Sequence, residues 1–282
     1  MTYKRLTMPA SGSISGARIA FAALVRFVAL SVSLFLFQSN AYGGSRQQEG
    51  PSPFTAEEIA VFAKKVEKTA AARGAYVFLL ARQGVPGKDL PKGVEFTHTG
   101  LAVYSTITTE QGETLKGYAI HNLYQDDDNP RRSHLAMDYP IDFFSGAKVL
   151  KAGVIIPTPA LQQRILESIE SGILQSVHNK NYSVVSNPFN TKYQNCTEYV
   201  LDILFASIYQ TDSVKQIKVN QHAWFQPQEI KLGPLKGLLA PLIAKEFRTS
   251  DHSGDIKTTT FGAIADFLKS QSLAEEVLVV YP

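Results

Sequence analysis

A chain of 282 residues with one cysteine, Cys196, has no internal disulfide to staple it. It must be held by burial alone, and its lone thiol must be buried or used if it works in an oxidising compartment. Composition permits a core of that kind, since 44% of the residues are apolar and 10% aromatic, as in ordinary soluble proteins.

The first 41 residues read as an export signal. Lys4, Arg5, Arg18 and Arg26 make a positive front end, and Phe27 to Phe37 is an apolar run. Ser39-Asn40-Ala41 then offers small residues where a signal peptidase cuts. The expected cut follows Ala41. The run is short of the about 20 apolar residues that a span requires, unless it begins near Ile19 and tolerates Arg26 as an uncleaved anchor. The rest of the chain is expected in the periplasm or outside the cell, with no stable membrane span once the signal is removed.

That segment carries the positive charge. The whole chain has a formal net charge of +3. Residues 1–41 hold four of the bases and no acid, so the remainder is close to neutral at −1. A nucleic-acid partner is not expected, because it calls for a basic patch in the folded part. About 240 residues remain, enough for one good core.

Residues 42–54 are polar and rich in Gly, Ser and Gln, and read as a linker. A single domain is expected over 55–282. Thr55 to Arg73 reads as a helix, capped by Thr55 and stopped by Gly74. Ala75 to Ala81 reads as a buried strand. Val94 to Thr108 and Leu115 to Tyr124 read as an antiparallel pair around Gln111-Gly112-Glu113. Val149 to Ile156 is a further strand. Ala160 to Leu174 has helical spacing at Leu161, Ile165, Leu166, Ile169 and Ile173. Tyr182 to Val185 is extended, Asn195 to Ser207 and Thr260 to Leu268 are helices, and Val277 to Tyr281 is a last strand. The order is mixed, so the class is α+β: an antiparallel sheet with helices packed on it.

The chemistry centres on Gln194-Asn195-Cys196-Thr197-Glu198. Asn195 is a good N-cap, with Glu198 three residues on as in a capping box. Val200, Ile203, Leu204 and Ile208 follow as an apolar stripe. Cys196 therefore falls in the first turn of a buried helix. Free N–H groups and the helix dipole favour a thiolate there, and the Cys196 N–H is placed to serve an oxyanion. The bland reading is a small buried thiol. A nucleophilic thiol needs a base. His98 lies on one of the paired strands and His121 on the other; His98 would be the base and His121 would fix its tautomer. His134, His178, His222 and His252 sit in polar, loop-like surroundings and receive no role.

Three stretches resemble the bacterial DUF2145 family, exported proteins without an established function. They are Phe96-Thr97-His98-Thr99-Gly100-Leu101-Ala102, Ala119-Ile120-His121-Asn122-Leu123, and Asn187-Pro188-Phe189-Asn190-Thr191-Lys192-Tyr193-Gln194-Asn195-Cys196. The order His strand, polar strand, Cys helix is similar to the circularly permuted branch of the NlpC/P60 papain-like fold, which includes lecithin:retinol acyltransferase-like proteins. The resemblance implies a cysteine amidase, peptidase or acyltransferase, with Cys196 attacking an amide or ester carbonyl and His98 moving the proton. His121 would orient His98, with Asn122 next in line. Gln194 or Tyr182 would add an oxyanion donor beside the Cys196 N–H. The implied substrate is a peptide or lipid of the cell envelope, and no cofactor is implied.

Two other functions fit the same residues. A non-catalytic module could keep this fold and bind an envelope ligand. His98, His121 and Cys196 could also hold zinc, although their spacing matches no short metal motif. Asp126-Asp127-Asp128-Asn129 lacks the Gly and distant Glu of a calcium loop and reads as a solvated turn. Leu232 to Phe247 is apolar and broken by Gly and Pro, and reads as a packed insertion, a lid or a membrane-contact element.

Overall fold

Six strands form one antiparallel sheet in the computed structural model, which describes residues 52–108, 112–231 and 247–282. The expected export signal, most of the linker and nearly all of Leu232–Phe247 lie outside those residues. The order across the sheet is β4-β3-β2-β1-β5-β8. Here β1 is Val77–Gln83, β2 His98–Thr108, β3 Thr114–Gln125, β4 Ser133–Asp138, β5 Val149–Pro157 and β8 Ala274–Val280. Two short strands, β6 (Gln228–Glu229) and β7 (Lys257–Thr258), pair separately. Among the described residues no helix is long and apolar enough to cross a membrane.

Register decides which side chain faces which helix. Leu101 pairs with His121 and Ala102 with Ile120, while Leu79 pairs with Leu101 and Arg82 with His98. Successive side chains alternate. Val77, Leu79, Ala81, Leu101, Val103 and Leu123 therefore join one apolar cluster, and Phe78, Leu80, Ala102 and Ile120 join another on the opposite face. Helices α1 (Ala56–Ala71) and α2 (Pro140–Ser145) supply Phe62, Val66, Phe143 and Phe144 to the second cluster. Helices α3 (Pro159–Glu170), α4 (Ile173–Ser176), α5 (Cys196–Tyr209), α6 (Val214–Trp224) and α7 (Phe261–Ser270) cover the first. Every residue from Cys196 to Ser207 is buried, so α5 is the central helix of that layer.

Local chemistry explains the ends. Thr55 and Glu58 form the capping box of α1, and Gly74 follows it at φ +66°. The long helix expected over Ala160 to Leu174 is broken. It stops at Glu170, Gly172 turns the chain at φ +89°, and α4 restarts at Ile173. Left-handed φ costs glycine little and other residues more. The extended piece at Tyr182 makes only an isolated bridge to Gln194. Strand β4 and helices α2 and α6 carry weaker apolar patterns and were not expected.

Candidate active site at the end of strand β2

His98 opens β2 and is fully buried. Its Nε2 lies 3.1 Å from Asn122 Oδ1. The Asn122 amide is itself oriented, because Nδ2 donates to Ile120 O at 3.0 Å and to Asp138 Oδ2 at 3.2 Å. Oδ1 is therefore the atom facing the ring, and the hydrogen sits on His98 Nε2. Gly100 makes room, since a Cβ there would collide with Asn122 Oδ1 and Ile120. Tyr124 stacks on the imidazole with centroids 4.6 Å apart and an interplanar angle of 6°, and its hydroxyl donates to Asp138 Oδ2 at 2.5 Å. Arg82 lies beside them and donates to Phe143 O. Burial, and then the Arg82 charge, hold His98 well below its ordinary 6.5, with the Asn122 bond opposing them. The ring is neutral near pH 7, and Nδ1 carries the lone pair. Nδ1 is buried without a hydrogen-bond partner.

Cys196 is the first residue of α5, beneath the N-cap Asn195, whose side chain accepts from Glu198 N at 2.8 Å. The thiol is buried. It donates toward Thr97 O at 3.8 Å, and Thr197 Oγ1 is also 3.8 Å away. Thr97 is the residue before His98. Cys196 and Thr97, 99 residues apart in sequence, thus meet where β2 begins. The His98 ring packs against Tyr124 and against Phe143 of α2, and the Cys196 thiol is near enough to Tyr124 to act on its hydroxyl electrostatically. The sheet ends at this point, and the thiol abuts the peptide joining Thr97 to His98. No thiol–imidazole hydrogen bond is formed, as Nδ1 has none.

Several expected roles change. His121 does not orient His98: it pairs with Leu101 and so lies on the opposite face of the sheet, and Asn122 makes the contact instead. Gln194 is engaged elsewhere and does not point its amide at an oxyanion. Its Nε2 donates to Val177 O at 2.9 Å and Asp202 Oδ2 at 2.7 Å. Tyr182 is buried in the α5 cluster, with its backbone N–H on Arg131 O. The proposed zinc set fails for the same reason of faces, and the described residues contain no group of three His, Cys, Asp or Glu placed to hold a metal. The Asn195 cap forms, but the reciprocal half of the capping box does not. Glu198 turns away to Lys218, with Oε1 2.7 Å from Nζ.

That turn reveals a cluster which the sequence reading missed. Lys218 of α6 also binds Asp202 Oδ1 at 2.7 Å. Gln221 Nε2 reaches the same oxygen at 2.6 Å. Ser186 Oγ lies 2.5 Å from Glu198 Oε2. Spacing held a clue, because Glu198 and Asp202 are four apart on one helix face and Lys218 and Gln221 three apart on another. The stretch before Cys196 has a structural task as well. Asn187 N donates to Asp251 Oδ2 at 2.8 Å, Tyr193 OH meets Ser250 Oγ at 2.8 Å, and the Arg248 guanidinium lies 3.9 Å from the Tyr193 ring centroid. These bonds tie the approach to Cys196 onto residues 248–252.

A family model described as an uncharacterized protein conserved in bacteria, DUF2145, matches residues 69–268. The chain belongs to this family. The matched span runs from the end of α1 into α7 and includes His98, Asn122, Cys196 and Lys218. No curated protein and no solved structure matches the chain.

Proposed function

We propose that this DUF2145 member is an exported papain-like thiol hydrolase or acyltransferase acting on an amide or ester of the cell envelope. Cys196 is the nucleophile, His98 the base and Asn122 the residue that holds the base. One observation carries the reading: Asn122 fixes Nε2 of a buried imidazole while Nδ1 stays unbonded, at the strand end against which the only thiol of the chain lies. Cys-His-Asn is the papain-like variant of the nucleophile–base–orienter arrangement. The Cys196 sulfur adds to the carbonyl carbon as its proton passes to His98 Nδ1. The imidazolium then gives that proton to the leaving amine or alcohol. Water or another acceptor releases the acyl group from Cys196. The first-turn N–H of Cys196 faces no carbonyl of its own helix and serves the oxyanion. The order of His strand, Asn strand and Cys helix fits a permuted papain-like chain.

A second reading, a non-catalytic module that binds an envelope ligand, is favoured by the deep burial of both side chains and the unmade thiol–imidazole bond. Alkylation separates the two. Because Cys196 is the only thiol, iodoacetamide reports on it alone. The enzyme reading expects native protein to label near neutral pH, and His98→Gln to slow labelling at least about tenfold. Equal rates in the two proteins, or no labelling before unfolding with either a small or a large reagent, would leave the module reading.

A further inference from the structure

The cluster behind Cys196 has more acid than base. Glu198, Asp202 and Lys218 are all buried, and both carboxylates contact the same ammonium. With all three ionised, the cluster would bury one uncompensated negative charge, which is strongly unfavourable. One proton removes that charge, and the hydrogen bonds show where it belongs. Both oxygens of Asp202 already receive donors: Oδ1 from Lys218 and Gln221, and Oδ2 from Gln194. Glu198 Oε1 receives Lys218. Among the described residues, Glu198 Oε2 faces only the Ser186 hydroxyl, at 2.5 Å. A hydroxyl accepts as readily as it donates, so a proton on Oε2 can point at Ser186 Oγ without disturbing any other bond.

We propose that Glu198, clamped by Lys218 to α6, is a positioning residue for Cys196, and that it sets the charge of the first turn of α5 by holding or releasing one proton. Glu198 is two residues from the thiol. Protonated, it leaves the positive end of the helix dipole unopposed. Ionised, it puts a negative charge beside the forming thiolate and disfavours it. The charged groups that act on Glu198 are Lys218 from α6 and Asp202 from α5 itself; Ser186, from the loop before Cys196, is uncharged. Burial raises the Glu198 carboxyl, Lys218 opposes this and Asp202 adds to it, bringing it to about 8. Lys218 itself stays charged: burial works against it, but Asp202 and Glu198 hold it above its ordinary 10.5. The thiol turn therefore changes charge just above neutral pH. This rests on Cys196 as nucleophile for its functional meaning, but the effect on the thiol is electrostatic and can be measured without any substrate.

Carbon-13 labelling of glutamate carboxyls and of cysteine Cβ allows both groups to be titrated by NMR in the folded full chain, and the single cysteine gives a single resonance. In wild type one glutamate carboxyl should titrate near 8. Glu198→Gln should abolish that transition and lower the Cys196 midpoint by about one pH unit, the size expected for one nearby charge in a partly screened interior. Should all glutamates in wild type titrate in the acid range, the proposal is overturned without recourse to any variant. A Cys196 midpoint unchanged in folded Glu198→Gln would also overturn it. Glu198 titrating as expected while Cys196 fails to alkylate in native protein would sink the enzyme reading and leave this one standing.

Discussion

The two faces of the sheet bury ionisable groups to similar depth and bond them differently. Toward α1 and α2, His98 has one nitrogen held by Asn122 and the other unbonded. Toward α6, Glu198, Asp202 and Lys218 are tied to each other and to Ser186, Gln194 and Gln221. The charged atoms of this cluster have their bonds made, with Gln221 Oε1 left unbonded at its edge, and so fix geometry, whereas a buried imidazole nitrogen left unmade is a cost that a fold keeps only for a reason. On the proposed reading the cluster on α5 and α6 is the framework, and His98 carries the reactive capacity. Cys196 lies where the two regions meet.

The largest effect should come from breaking the framework. Lys218→Ala leaves the buried Asp202 carboxylate without its cation and should cost about 3–5 kcal/mol of stability, the usual range for removing one partner of a buried pair. Urea unfolding near neutral pH measures it. Loss of less than about 1 kcal/mol would mean that the cluster is wetter, and matters less, than its burial implies.

The two regions should also respond to pH with opposite signs. His98 is held below its ordinary 6.5, so the unfolded chain takes up its proton first. Its contribution is complete above about 6.5 and is lost as pH falls below that value towards the folded-state pKa. Glu198 is held at about 8, above its ordinary 4.5, so the folded chain keeps that proton longer. Its contribution is complete below 4.5 and is lost as pH rises through about 8. His98→Gln should flatten the acid limb of a plot of stability against pH, and Glu198→Gln the alkaline limb. A variant that flattened the other limb would break the comparison.

Much of the framework was legible in the residues. The strands of the His98 hairpin, the Thr55 cap and the Asn195 cap follow from alternation and capping chemistry, because those signals are local. Cys196 and His98 were singled out by residue type and element position alone. The choice between His121 and Asn122 could not be made that way. Adjacent residues on a strand point to opposite faces, and only the register Leu101 to His121 shows that His121 is on the wrong one. The Lys218 cluster was missed because its members, from Ser186 to Gln221, are brought together by helix packing. Helix α6 has a weak apolar stripe, so the three-residue spacing of Lys218 and Gln221 was the one local mark of its buried lysine.

Smaller effects should separate the two neighbours on β3. Asn122→Leu removes the acceptor that sets the His98 tautomer and should slow Cys196 alkylation several-fold, by analogy with the cost of a lost orienting hydrogen bond of about 1–3 kcal/mol. His121→Ala should leave the rate within about twofold, because its side chain is on the other face. The reverse order would restore His121 as the orienting residue.

Intact-mass analysis of the native protein after exposure to a small activated ester addresses the thiol nucleophile most directly. A single acyl group should appear on Cys196, be absent in Cys196→Ser, form at least about tenfold more slowly in His98→Gln, and disappear with time as water releases it. An adduct that forms only after unfolding, or equally fast in wild type and His98→Gln, would contradict the assignment of Cys196 and His98 as nucleophile and base.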